Sequence, residues 1–180
     1  MTDEFTFAPL APAYDRTGFS CGVAPLDRYF RELATQDIRR RVSNCFVALD
    51  PAGKVVGYYT FAATSLPLPD LAPEHARNLP RYSALPAVLI GRLAVDQAFR
   101  GRGLGSAMIV DAIGRAMRAE PAIFALIVDA KDDAARGFYE HLGFHRFASR
   151  PMALYLPIAE AARRLGSAPI PDARRGGGPG

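Results

Sequence analysis

The chain has 180 residues, 49% of them hydrophobic and 22% charged, which is the length and balance of one globular domain with a sizeable core. No apolar run approaches the roughly 18 residues that cross a bilayer. The acidic start Met1-Thr2-Asp3-Glu4-Phe5 is unlike a signal peptide, so no membrane and a cytoplasmic location are expected. Arg163, Arg164, Arg174 and Arg175 against Glu160 and Asp172 supply half of the net charge of +4; a nucleic-acid partner must therefore be argued from local clusters.

In chain order, Phe5-Thr6-Phe7 reads as a first strand ended by Pro9 and Pro12. Leu26, Tyr29, Phe30, Leu33 and Ile38 recur at helical spacing, with Pro25 in the first turn and Arg39-Arg40-Arg41 at the end. Cys45–Leu49 and Val55–Phe61 flank the turn residues Asp50-Pro51-Ala52-Gly53 and predict a hairpin. Leu66–Pro86 contains Pro67, Pro69, Pro73, Pro80 and Pro86 and reads as irregular, the kind of long loop that is usually functional. Val88–Val95 reads as one strand, Leu104–Arg118 as an amphipathic helix and Ile123–Val128 as a buried strand. Asp133–His141 is a short helix stopped by Gly143, and Phe144–Phe147 and Met152–Leu156 are closing strands. The alternation predicts an α/β (α+β) layered domain on one mixed sheet.

The domain is expected to span residues 1–158. The Pro/Gly/Arg-rich tail 159–180 opens with a possible helical extension at Ala159–Leu165 and is disordered from about Gly166. Cys21 and Cys45 have neither CxxC spacing nor a nearby histidine pair, which predicts buried thiols and no metal.

The chemistry concentrates in two segments. Leu93-Ala94-Val95 runs into Arg100-Gly101-Arg102-Gly103-Leu104-Gly105-Ser106, where a helix begins. Main-chain N–H groups at such a strand–loop–helix turn converge on an anion, and glycine lets the backbone approach it. No GxxxxGK[ST] is present, which excludes the nucleoside-triphosphatase loop. The second segment is Ala135-x-x-Phe138-Tyr139-x-x-x-Gly143-Phe144.

Together, Arg100-x-x-Gly103-x-Gly105 and the Tyr139 segment resemble the two motifs of the GNAT acyltransferase superfamily. The resemblance implies a mostly antiparallel mixed sheet of about six to seven strands, helices on both faces, and a V-shaped splay that holds acetyl-CoA. It further implies that Leu93, Ala94 and Val95 offer main-chain groups to the pantetheine and that Arg100 to Ser106 cradle the pyrophosphate. Tyr139 would give a proton to the departing thiolate, and main-chain N–H near Val95 would polarise the thioester. Asp132 stands where many relatives carry an asparagine that contacts pantetheine.

Further pieces, among them Phe19-Ser20-Cys21-Gly22, Val56-Gly57-Tyr58-Tyr59-Thr60 and Leu85–Asp96, look like the TacT-like GNAT toxins of bacterial toxin–antitoxin pairs. That implies acetylation of the α-amine of aminoacyl-tRNA, inhibition of translation, a small ribbon-helix-helix antitoxin as partner, and a homodimer. Arg39, Arg40, Arg41, Arg77, Arg81 and Arg92 are the candidate contacts to tRNA phosphates. No general base stands out among Glu140, Asp96 and Asp129. An α-amine, with pKa about 7.7–8.0 and lower beside an ester, needs less help than lysine at about 10.4. The competing reading is a GNAT enzyme acting on a small amine or a protein N-terminus. A non-catalytic acyl-CoA-binding module is a third.

Overall fold

The computed structural model describes residues 4–166. Its strands are β1 (Thr6–Pro9), β2 (Asn44–Leu49), β3 (Val55–Pro67), β4 (Ala84–Ile90), β5 (Leu93–Val95), β6 (Ala125–Asp129), β7 (His145–Arg146) and β8 (Ala153–Pro157). They form one eight-stranded sheet in the order β1-β2-β3-β4-β6-β8-β7, with β5 off this path and paired to β3. Only β4 and β6 run parallel among these pairs. The helices are α1 (Ala24–Arg28), α2 (Ala34–Arg39), α3 (Pro73–Ala76), α4 (Leu104–Arg118), α5 (Asp133–His141) and α6 (Ile158–Arg164). None of them is long and apolar enough to cross a membrane.

Strand alternation assigns the layers. Phe46 and Ala48 of β2, Leu126 and Val128 of β6, and Leu154 and Leu156 of β8 face a core shared with Leu104, Met108, Ala112 and Ala116 of α4. The opposite face of β2, through Cys45, Val47 and Leu49, packs on Tyr29, Phe30 and Ala34. Further along that face, Ala87, Ile127 and Tyr155 meet Leu66 and Leu71. Helices therefore cover both faces, as expected.

The sequence expectations change at three places. The strand expected over Val88–Val95 is two, β4 and β5, and the break between them builds the site described below. The irregular stretch is shorter than its prolines suggest, because β3 continues to Pro67 and β4 begins at Ala84. Pro86 is tolerated because its carbonyl accepts from Phe124 N, so its ring nitrogen faces the same side, just before the parallel pairing to β6 starts at Ala87; no ladder donor is required there. Third, residues 158–164 belong to the domain. Ile158, Ala161 and Ala162 of α6 are buried, and Ile158 and Ala161 join the α4 core. Ile158→Ala is expected to cost about 2–4 kcal/mol in urea unfolding. The expectation of disorder from about Gly166 concerns residues that lie, from 167 on, outside those described.

The two cysteines are both buried and free. Burial pushes the Cys45 thiol up to about 12 and, with Asp27 beside it, raises Cys21 as well. A raised pKa means less thiolate at any pH below it. The native protein should therefore react negligibly with Ellman's reagent at pH 8, and both thiols should titrate once guanidinium unfolds it.

Candidate active site

The parallel register of β4 and β6 runs from Ala87↔Ala125 to Ile90↔Val128 and then stops. At Gly91-Arg92 the chain swings away from β6, and β5 pairs only with β3, from Tyr59↔Leu93 to Gly57↔Val95. Thr60 fixes this bend. Its N–H donates to the Arg92 carbonyl at 3.0 Å, and its Oγ1 accepts from Arg92 N at 3.0 Å. That is why a threonine stands in the buried stretch Val55–Thr60 of β3. Asp96 N donates to Val56 O. Hydrogen-bonded positions alternate in an antiparallel pair, so residues 92, 94 and 96 face β3 while Leu93 and Val95 turn their N–H and C=O into the splay.

The splay opens into a cleft of about 240 Å³ lined by Leu26, Ile90 to Leu93, Asp129, Lys131, Ala135, Phe138 and Tyr139. Asp132 places Tyr139 there by capping α5, its Oδ1 accepting from Ala135 N at 2.7 Å. That capping bond engages Oδ1 of Asp132, the residue expected to contact pantetheine. Tyr139 is buried at 8% exposure, its ring edge-on to Phe138 and Phe144. Its hydroxyl has no hydrogen-bond partner among the described residues. Burial alone pushes the phenol up to about 12, so it is a proton donor at any physiological pH.

Phe138 also lines a second cavity of about 220 Å³, with Val95, Phe99 and the loop residues Arg100, Gly101 and Gly103 to Ser106. Gly101 and Gly103 have φ of 76° and 74°, which a β-carbon would strain. Gly103 is the N-cap of α4, with no side-chain cap and no acid in the first turn. The first intrahelical bond at this end is Ala107 N to Gly103 O, so the N–H groups of Leu104, Gly105 and Ser106 are left for an anion. A β-carbon on Gly105 would lie 3.4 Å from the Phe138 ring, at van der Waals contact. The donor set fits a diphosphate joined to an extended thiol arm.

The two loop arginines make protein contacts of their own. Arg100 donates to the carbonyl of Cys21, so its guanidinium braces the loop against the Phe19–Gly22 turn. Asp96 accepts from Ser20 N in the same brace, and Asp27 accepts from Cys21 N. Arg102 lies over the Phe99 ring and pairs with Glu4 at 3.3 Å, both half-exposed, and is worth little to stability. Of the three carboxylates considered as base, Asp96 caps the turn at Gln97–Phe99 and Glu140 pairs with Arg136 and Arg146. Only Asp129 faces the cleft.

Arg92 and Leu26 also line a third cavity, an open groove of about 670 Å³ with Ala24, Pro25, Arg28, Tyr29, Arg31, Glu32 and Leu33. The Arg92 guanidinium lies 3.6 Å from the centre of the Tyr29 ring. Tyr29–Leu33 is a π-helical turn between α1 and α2, which the apolar periodicity reads as uninterrupted helix. Three cavities thus join through shared residues, and the groove was not foreseen because Leu26, Tyr29 and Leu33 look like a core stripe.

The remaining arginines divide. Arg39 to Arg41 are exposed at the end of α2, three residues before Asn44, which pairs with Phe61 beside Thr60. Arg41 lines a separate cavity of about 410 Å³ with Ile38, Val42, Asn44 and Phe61. Arg77 and Arg81 are exposed beyond the start of β4, about 20 Å from the mouth by the length of that seven-residue strand.

A parallel strand pair that parts over a proton-donating phenol, next to an uncapped helix end fit for a diphosphate, defines an acyl-CoA-dependent acyltransferase. Residues 41–146 match the acetyltransferase (GNAT) domain, and the chain belongs to that family. It is 38% identical to the tRNA-acetylating toxin of Mycobacterium tuberculosis, over 87% of this chain and 94% of that one. Among solved structures it is similar to AtaT complexed with acetyl-methionyl-tRNAfMet, with TM-score 0.83 and 25% identity over 91% of this chain and 100% of that one. It is likewise similar to AtaTR bound with acetyl-CoA, with TM-score 0.74 and 25% identity over 91% and 99%.

Proposed function

We propose that this protein is a toxin that moves an acetyl group from acetyl-CoA to the α-amine of aminoacyl-tRNA and so inhibits translation. The observation that carries the reading is the open groove that shares Arg92 and Leu26 with the cleft, its wall carrying Arg28 and Arg31 against the single acid Glu32, which pairs with Arg28 at 3.0 Å. It suits the anionic 3′ end of a nucleic acid better than a small amine or a peptide N-terminus. The Mycobacterium tuberculosis relative, a tRNA-acetylating toxin, supports it.

Acetyl-CoA supplies the acetyl group as a thioester, whose sulfur leaves as the new C–N bond replaces C–S. The free main-chain groups of Leu93 and Val95 hold the pantetheine arm, with Ala94 as the residue pinned to β3 between them, and Val95 N–H polarises the carbonyl. Gly101 and Gly103 shape the loop. The N–H groups of Leu104, Gly105 and Ser106 take the diphosphate, with Arg102 adding charge from outside. Tyr139 donates its proton to the sulfur and recovers one from the acetylated nitrogen, so the phenol ends as it began. The α-amine arrives largely neutral at pH 7–8, and for the fraction that arrives as ammonium, Asp129, which lines the cleft, takes the extra proton through water before attack. Arg92 and Arg39 to Arg41 take phosphates near the 3′ end, while Arg77 and Arg81 suit a distant part of a long ligand.

The catalytic domain runs through about Gly166. The protein works in the cytoplasm as a homodimer and is neutralised by a small ribbon-helix-helix antitoxin. Incubation with labelled acetyl-CoA and charged total tRNA should place the label on the aminoacyl fraction, released by mild alkali. Label confined to free amines or protein N-termini would establish the alternative instead. Affinity for tRNA should fall steeply with salt, and the slope should flatten in an Arg39/Arg40/Arg41→Ala variant.

A further inference from the structure

We infer that His75, His145 and Glu160 form a binding site for a late first-row divalent cation, Zn²⁺ above all. They come from α3, β7 and α6, none of which lines the cleft. Their ligand atoms all lie within 4.8 Å of one another. Glu160 Oε2 is 3.6 Å from His75 Nε2 and 3.1 Å from His145 Nε2. Two ligands on a tetrahedral zinc, each about 2.0–2.1 Å from the metal, stand about 3.3 Å apart. Both edges bracket that value, so small side-chain shifts suffice to seat the ion.

The surroundings are those of a ligand set. His75 Nδ1 is 2.7 Å from the Tyr155 hydroxyl, which also accepts from Ala72 N at 2.8 Å. With Nδ1–H donating to that oxygen, Nε2 presents its lone pair inward. The two imidazole rings meet edge to face, with centroids 4.5 Å apart, and Glu160 is only 17% exposed. The one opposing feature is Arg164, which donates to Glu160 Oε1 at 2.7 Å. It occupies the other carboxylate oxygen and is half-exposed, so Oε2 stays available. Two imidazoles and one carboxylate favour Zn²⁺ over the oxygen-seeking Mg²⁺ and Ca²⁺. With three protein ligands, water completes the shell. The ion clips α3, and with it the segment carrying Arg77 and Arg81, to α6.

The test is calorimetric titration of the tag-free, chelator-treated full chain with Zn²⁺ alone, and melting with and without it. One Zn²⁺ per chain should bind and raise Tm. His75→Gln and His145→Gln should each weaken binding about tenfold or more, and a Cys21→Ser/Cys45→Ser variant should bind as the parent does. Glu160→Gln keeps the length and shape of the side chain, and its amide can both donate to and accept from the imidazole nitrogens. Loss of Zn²⁺ by that variant, folded by circular dichroism, therefore reports the ligand and not unfolding. No saturable binding at about 0.1 mM Zn²⁺, or binding undiminished in the histidine and glutamate variants, would overturn the site.

Discussion

Replacing Tyr139 by phenylalanine lowers the rate of acetyl transfer about 10²- to 10⁴-fold while acetyl-CoA binds as before. The split follows from the geometry. The ring packs on Phe138 and Phe144, and phenylalanine keeps that packing. The hydroxyl bonds to no described residue, so stability should change by no more than about 0.5 kcal/mol. What disappears is the proton held over the departing sulfur. The pH profile adds a second check. A phenol at about 12 stays protonated through the neutral range, so the parent rate should rise as the amine loses its proton, near or below about 7.7–8.0, and then level off. A falling limb between pH 8 and 10 would assign the acid to another group. Equal single-turnover rates for the parent and the variant with donor bound would remove Tyr139 from the chemistry.

Gly105→Asp is expected to abolish practical use of acetyl-CoA while leaving the fold intact. The first turn of α4 carries no acid and no side-chain cap. A carboxylate there favours the helix dipole by about 0.3–1 kcal/mol, and glycine is the poorer helix former. The same carboxylate would stand where a diphosphate must sit. Two unit charges 4 Å apart repel by about 4 kcal/mol at a near-surface effective dielectric; screening reduces this, and donor affinity should still fall about 100-fold. Phe138, 3.4 Å from the new β-carbon, leaves little room for the side chain to turn inward. The measurement pairs donor titration with a thermal melt. A variant that melts like the parent and also binds acetyl-CoA like the parent would mean the diphosphate lies elsewhere.

The conformation of the loop at residues 100–106 was readable because its signal is local. Glycines with positive φ, an uncapped helix start and an apolar strand before it are properties of consecutive residues, and α4 and α5 fall at the predicted bounds. Three other features were not local. The break between β4 and β5 depends on Thr60, some thirty residues upstream, which takes both main-chain groups of Arg92. The commitment of Arg100 depends on the Cys21 carbonyl, and the fate of α6 on apolar residues of α4. Each is settled by a partner that linear spacing does not reveal. The prolines of 66–86 misled for the opposite reason: a missing N–H matters only where a ladder donor is needed, and Pro86 faces a side where none is.

The sequence by itself determined the family and the mixed sheet, because these rest on periodicity, turn chemistry and two motifs in fixed order. Only the tertiary structure decided where the sheet parts, that Arg92 lines both the cleft and the groove, and that Asp132 caps a helix. It alone brought His75, His145 and Glu160 together. The physical reason is range: backbone conformation is set largely by neighbouring residues, whereas what a charged side chain finally binds is set by whichever distant segment packing brings within about 3 Å of it.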